Sequence, residues 1–142
     1  MKRVAVFGMG YVGCVSAACL SRDGHRVFGV DTDPVKVDSI NHGITPVLEP
    51  GLGELLHEEV ARGNLSATSD ATESIRNSDL AIIAVGTPSA DDGSVETHAL
   101  ERVVQSIGAA LRGLDRPYTV VVRSTVLPGI LEQRLAPLLE EA

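Results

Sequence analysis

At 142 residues, 44% hydrophobic and 22% charged, the chain suits one α/β domain large enough to bury a core, and no low-complexity tract argues for disorder. A net charge of −7, with no basic stripe, argues against a nucleic-acid partner, because phosphate-backbone binding needs clustered Lys and Arg. No apolar run approaches the roughly 20 residues that span a bilayer, so no membrane partner is expected, and a bound anion would have to be held locally by backbone N–H groups at a helix start.

Strand-length apolar runs alternate with helical patterns along the chain. Val4 to Phe7 reads as a short buried strand, too short and too close to glycines to be a signal peptide. Val12 to Leu20 is rich in small residues and reads as a helix packed closely on a sheet, ending near Asp23-Gly24. Arg26 to Val30 is a second strand closed by Asp31. Asp33 can then cap a helix that has Pro34 in its first turn and runs to about His42-Gly43. After an irregular loop, a helix starting around Pro50 carries Leu52, Leu55, Leu56 and Val60 on one face. Leu65 to Thr68 is a short strand and Asp70 to Asn77 a short helix. Leu80 to Val85 is a continuous apolar strand, as expected at the centre of a parallel sheet. The loop from Ser89 to Ser94 is polar, Glu96 to Leu111 is an amphipathic helix, Tyr118 to Val122 a β-branched strand, and a last helix starts at about Gly129.

This alternation predicts a Rossmann-like α/β fold: a doubly wound parallel sheet of order 3-2-1-4-5 in a single domain covering residues 1–142. The last helix is followed by no strand, so the expected domain is cut short before its final strand.

Gly8-Met9-Gly10-Tyr11-Val12-Gly13 fits G-x-G-x-x-G. The pattern alone is weak; a strand before it, a helix after it and an acid ending the second strand give it weight. Gly8 permits the tight turn, Gly10 lets backbone approach a pyrophosphate, and Gly13 lets the helix sit close to the strand. The helix N-terminus then presents unpaired N–H groups and partial positive charge. Asp31 lies 18 residues after Gly13, close to the ~20 expected for the acid that accepts from a ribose 2′-OH. Asp31 and Asp33 would repel a 2′-phosphate, which favours NAD over NADP; Lys36 is the one nearby cation that could reverse this. Capping a turn is a second role open to Asp31.

Ligands in such sheets sit beyond the carboxyl ends of the strands, so the residues after strands four and five are the next candidates. Gly86 permits close approach, the Thr87 hydroxyl can bond a ribose or phosphate, and Pro88 ends the turn. Ser124 and Thr125 would lie nearer the nicotinamide, where their hydroxyls can orient the ring or a water. Strand-to-turn transition and helix capping are the structural alternatives for these positions, and Glu49-Pro50-Gly51 reads as structural. Cys14 and Cys19 lack metal or redox spacing and read as plain thiols in a reducing cytoplasm. The four histidines are scattered, so no metal site is expected. No catalytic residue is assigned, since no convincing nucleophile–base pair or general base stands among the strand ends.

Five blocks in order resemble the UDP-glucose/GDP-mannose 6-dehydrogenase family. They are Val6 to Gly13, Gly29-Val30-Asp31 with Lys36, Pro46 to Leu52, Val85 to Ser89, and Val121 to Gly129. The resemblance implies that the chain is the N-terminal NAD-binding domain, with Tyr11 and Val12 at the pyrophosphate, Asp31 and Lys36 at the adenosine ribose, and Thr87 and Thr125 on the nicotinamide side. It also implies the activity: two NAD-dependent steps that take a sugar C6 alcohol to a carboxylate, with a cysteine attacking the intermediate aldehyde and the thioester then hydrolysed. That cysteine and its assisting lysine, asparagine and acid belong to later segments, as do the central helix that builds a homodimer and the domain that binds the nucleotide-sugar substrate. By this reading the 142-residue chain is monomeric and inactive alone. The Val122 to Gly129 block is closer to the GDP-mannose enzymes than to the UDP-glucose ones. A free-standing NAD-binding module without catalysis is the competing reading.

Overall fold

A computed structural model describes residues 1–142. Five strands form one parallel sheet: β1 (Arg3–Phe7), β2 (Arg26–Val30), β3 (Leu65–Thr68), β4 (Leu80–Ile83) and β5 (Thr119–Val122), in the order β3-β2-β1-β4-β5. Six α-helices connect or follow them: α1 (Tyr11–Arg22), α2 (Pro34–Asn41), α3 (Leu52–Ala61), α4 (Ala71–Asn77), α5 (His98–Leu111) and α6 (Ala136–Glu141). The predicted strand order and doubly wound arrangement are therefore those of the chain.

Two cores follow from the period-2 alternation of strand side chains. Val4 and Val6 of β1 point to one face, where they join Val27 and Leu65, the small residues Cys14, Ala17 and Ala18 of α1, Ile40 of α2, and Leu52 and Leu56 of α3. Ala5 and Phe7 point to the other face and meet Ala81 and Ile83, Ile75 of α4 and the Leu100, Val104, Ile107 stripe of α5. The register aligns Phe7 with Val30 and with Ile83, and Ile83 with Val122. All of these strands consequently end at one level, and the segments that follow them emerge along a single edge of the sheet.

Local chemistry explains the helix ends. Asp33 accepts from the Val35 N–H at 2.9 Å and Asp70 from the Glu73 N–H at 3.0 Å, each capping the helix it precedes. The predicted boundaries shift at four places. Helix α3 starts at Leu52, because Gly51 takes a left-handed φ of 79° before it. Strand β4 ends at Ile83, two residues short of Val85, and α5 begins at His98 after Thr97. The final helix opens as a π turn over Leu131–Leu135 before α6. Pro137 lacks an N–H and crowds the carbonyl four residues earlier, which widens that turn. The polar segment from Ser89 is an ordered hairpin: Ser89 bridges Val95, the Ala90 N–H donates to the Ser94 carbonyl at 2.7 Å, and Asp92 accepts from the Ser94 hydroxyl at 2.6 Å.

Candidate functional site

The segment Gly8–Gly13 leaves β1 and turns into α1, and its glycines serve different purposes. Gly8 takes a φ of +93°, and a Cβ there would lie 2.9 Å from the Val85 backbone nitrogen, so only glycine fits both the turn and its neighbour. A Cβ on Gly13 would overlap the carbonyl oxygen of Gly8; this glycine lets α1 lie close on the end of β1. At Gly10 a Cβ would meet no protein atom within 4 Å, so the space above this residue is open. The N–H groups of Tyr11, Val12 and Gly13, in the first turn of a 12-residue helix, have no intrahelical acceptor. Backbone dipoles give this end partial positive charge without any basic side chain.

Met9, between the first two glycines, is fully buried, and its N–H donates to Asp31 Oδ2 at 2.9 Å. The other oxygen of Asp31 accepts from the Asp33 N–H, also at 2.9 Å, and Lys36 Nζ stands 3.7 Å from Oδ2. The turn-capping role of Asp31 is thus realised. A carboxylate has about four acceptor sites, so capacity remains for a hydroxyl.

Two cavities flank the glycine loop and share Val85 as a wall. The larger, about 500 Å³, is lined by Gly8, Asp31, Ser69, Ala71, Arg102 and Val103 among others. The smaller, about 270 Å³, lies across the loop between Gly10, Tyr11 and Val12 on one side and Gly86, Thr87 and Thr125 on the other, with Arg123 and Ser124 completing it. Gly86, like Gly10, would place a Cβ in open space. The two cavities form a crevice along the carboxyl ends of the strands, at the point where strand order reverses, which is where ligands bind in open α/β sheets. Two open glycines and a helix start of unpaired donors fit a dinucleotide, whose pyrophosphate must approach backbone closely.

The hydroxyls at the far side have structural duties. Thr87 Oγ1 donates to the Thr125 carbonyl at 2.9 Å, and Ser124 Oγ donates to the Val85 carbonyl at 2.7 Å. Both protons are spent joining the segments after β4 and β5, so toward a ligand these oxygens are left only as acceptors. Of the residues singled out from the sequence, Gly8, Gly10, Tyr11, Val12, Asp31, Gly86, Thr87, Ser124 and Thr125 line the crevice. Gly13, Lys36 and Pro88 do not: Gly13 packs helix on strand, Lys36 stands by Asp31, and the Pro88 carbonyl accepts from the Glu96 N–H at 2.8 Å.

Ser69, Ala71 and one face of α5 (Ala99, Arg102, Val103, Ser106) escaped the sequence reading. Their three- and four-residue spacing signals a common helix face, yet which face meets a crevice depends on the neighbouring strands. Cys14 is buried; its Sγ–H donates to the Met9 carbonyl at 3.3 Å, and burial pushes the thiol up to about 11. Such a thiol is an inert packing group.

Comparison with known proteins agrees with this geometry. The model of the UDP-glucose/GDP-mannose dehydrogenase family, NAD binding domain, matches residues 2–142. GDP-mannose 6-dehydrogenase from Azotobacter vinelandii is 49% identical over 139 residues, covering 98% of this chain and 32% of that protein. UDP-glucose 6-dehydrogenase from Haloferax volcanii is 41% identical over the same length, again with 98% and 32% covered. Among solved structures, a ternary complex of GDP-mannose dehydrogenase from Pseudomonas aeruginosa superposes with a TM-score of 0.96 at 45% identity, over 99% of this chain and 32% of that one. The chain spans about a third of the length of the curated relatives it matches.

Proposed function

Since the chain belongs to the UDP-glucose/GDP-mannose dehydrogenase family as its NAD-binding domain, we propose that it is the cofactor-holding part of a nucleotide-sugar 6-dehydrogenase. The observation that carries this reading is the crevice running from Asp31, over the open backbone of Gly10, to Thr87 and Thr125. Adenosine lies in the larger cavity with its ribose on Asp31 and Lys36. The pyrophosphate rests on the start of α1 at Tyr11 and Val12, and the nicotinamide end faces Gly86, Thr87, Ser124 and Thr125. Gly8 lines the larger cavity, while Gly13 and Pro88 act from behind it, the first by setting how closely α1 lies on β1 and the second by accepting from the Glu96 N–H.

Bound NAD supplies a hydride acceptor for oxidation of the sugar C6 alcohol to a carboxylate in two steps. This chain's residues hold and orient it. Neither cysteine supplies the nucleophile: Cys14 is buried, hydrogen-bonded and protonated near neutral pH, and Cys19, on α1, lines neither cavity. The central helix, the sugar-nucleotide-binding domain and the homodimer belong to the full-length enzyme, with the 142-residue domain monomeric and inactive alone. We favour GDP-mannose as the substrate, supported by the Val122 to Gly129 block and by the higher identity to GDP-mannose than to UDP-glucose enzymes. A cytoplasmic setting suits two unpaired cysteines; no helix is long and apolar enough to cross a membrane. Nucleic acid is not a partner in this reading, nor is a metal.

The test has two arms. Calorimetry of this chain should give saturable NADH binding, and the full-length protein should reduce NAD with GDP-mannose or UDP-glucose. Failure to bind at millimolar NADH would refute the cofactor reading. Turnover by the 142-residue chain alone would overturn the claim that its catalytic residues lie elsewhere.

A further inference from the structure

We infer that Asp31, besides reading the ribose, is a positioning residue for the pyrophosphate site, a role that rests on the NAD reading above and deepens it. Four N–H groups could in principle project from the segment Met9 to Val12, and a phosphate is held well only if the right ones converge on it. Met9 is the residue that decides the orientation. Its N–H is taken by Asp31 Oδ2 at 2.9 Å, its carbonyl by the Cys14 thiol at 3.3 Å, and its side chain is fully buried. That side chain lies over Gly29 of β2, where a Cβ would come within 2.8 Å of Met9 Sδ. The Gly8 N–H is likewise taken, by the Val30 carbonyl at 2.8 Å.

The loop is therefore clamped on the β2 side through Met9, which leaves the Gly10–Val12 backbone as the part facing the open space. Asp31 is the only side chain in this clamp that bonds the loop backbone while also lining the adenosine-side cavity. Its second oxygen is fixed by the Asp33 N–H at 2.9 Å, so the carboxylate cannot swing toward a ribose without releasing the turn or the loop. Preorganised donors bind better than donors that must be ordered on binding. Loss of the carboxylate should thus weaken the hold on the pyrophosphate even for a ligand that offers Asp31 nothing.

The probe is an NADH analogue carrying 2′,3′-dideoxyadenosine, which retains the pyrophosphate and lacks both hydroxyls that a carboxylate could accept from. Its affinity and that of NADH are measured by fluorescence titration on this chain and on its Asp31→Ala and Asp31→Asn variants, with folding checked by circular dichroism. Asp31→Asn is isosteric and keeps one acceptor, so it provides a folded comparison and a partial rescue. The expected result is a loss of about tenfold for the dideoxy analogue in Asp31→Ala, with Asp31→Asn intermediate. Equal affinity of the wild-type chain and both variants for the dideoxy analogue would overturn the inference and leave Asp31 as a ribose contact only. If the wild-type chain bound neither ligand, the cofactor reading itself would fall, and the inference with it.

Discussion

Gly10 and Gly13 stand three residues apart in the same motif, and the structure assigns them opposite consequences on substitution. Gly10 has φ −85° and ψ −157°, an extended backbone open to any L-residue, and an added methyl would touch no protein atom within 4 Å. Gly10→Ala should therefore leave stability within about 0.5 kcal/mol of wild type, the small cost of alanine at a helix N-cap being offset by a less flexible unfolded chain. The same methyl stands where a phosphate must approach backbone. Weakening one charge-assisted hydrogen bond there by its full worth, about 1.5–3 kcal/mol, raises the Kd for NADH by about 10- to 150-fold. Gly13→Ala does the reverse. Its methyl overlaps the Gly8 carbonyl, and α1 must lift from the sheet at a cost of about 3 kcal/mol, the upper end of overpacking, or about 10 °C in Tm for a domain of this size. Thermal melts and NADH titrations on both variants give the two-by-two comparison. An unchanged Kd in Gly10→Ala would show that the open space is not where the pyrophosphate sits, whatever Gly13→Ala does.

Glu59→Ala should lower Tm by about 10 °C, because a fully buried carboxylate that accepts from Arg62 and Asn64 at 2.8 Å each is replaced by a cavity costing about 3 kcal/mol; Glu59→Gln, which keeps one acceptor, should cost about 1 kcal/mol. A shift under 3 °C for the alanine variant, roughly 1 kcal/mol by the same scaling, would contradict this. The Asp79 carboxyl is held down to about 2 by the Arg3 guanidinium and the Arg3 N–H, so the stability it contributes is present above its ordinary 3.8 and lost as pH falls toward 2. The pair is partly exposed, so Asp79→Asn should cost under about 1 kcal/mol at pH 7 and flatten the acid limb of the stability–pH curve between pH 4 and 2; a limb of unchanged slope would refute the assignment. In the folded chain at pH 8, iodoacetamide should modify the half-buried Cys19 before the buried Cys14, and equal rates by mass spectrometry would contradict the packing described.

The strand order and most of the crevice were legible in the sequence because they depend on local features. Continuous apolar runs mark strands buried on both faces, and parallel crossovers of one hand leave few orders open. Residues just past a strand, such as Gly8, Asp31, Gly86 and Ser124, are carried to one edge whatever the loops do. What the sequence did not reveal depends on partners distant in the chain or on unusual environments. Glu59 lies four and three residues after Leu55 and Leu56, on the buried face of α3, where the sequence shows a lone charge but not the hydrogen bonds from Arg62 and Asn64 that satisfy it. The cavity wall on α5 depends on which strand that helix crosses, and the duties of the Thr87 and Ser124 hydroxyls on how closely β4 and β5 end.

Charge makes the same point most sharply. A chain of net −7 that holds a cofactor with a dianionic pyrophosphate looks mismatched by composition, and Lys36, the cation that follows Asp31 in sequence, is paired with it at 3.7 Å. The positive end of the site is instead the start of α1, where the donors are backbone N–H groups that no count of residues records. Beyond about 8–10 Å the surface acids are screened at physiological salt, so what acts on a ligand here is the local field of that helix start, with Arg102 lining one cavity and Arg123 the other. Composition thus bounds the partners a chain can hold by its whole surface; a ligand held by a few oriented amides has to be read from the turn that orients them.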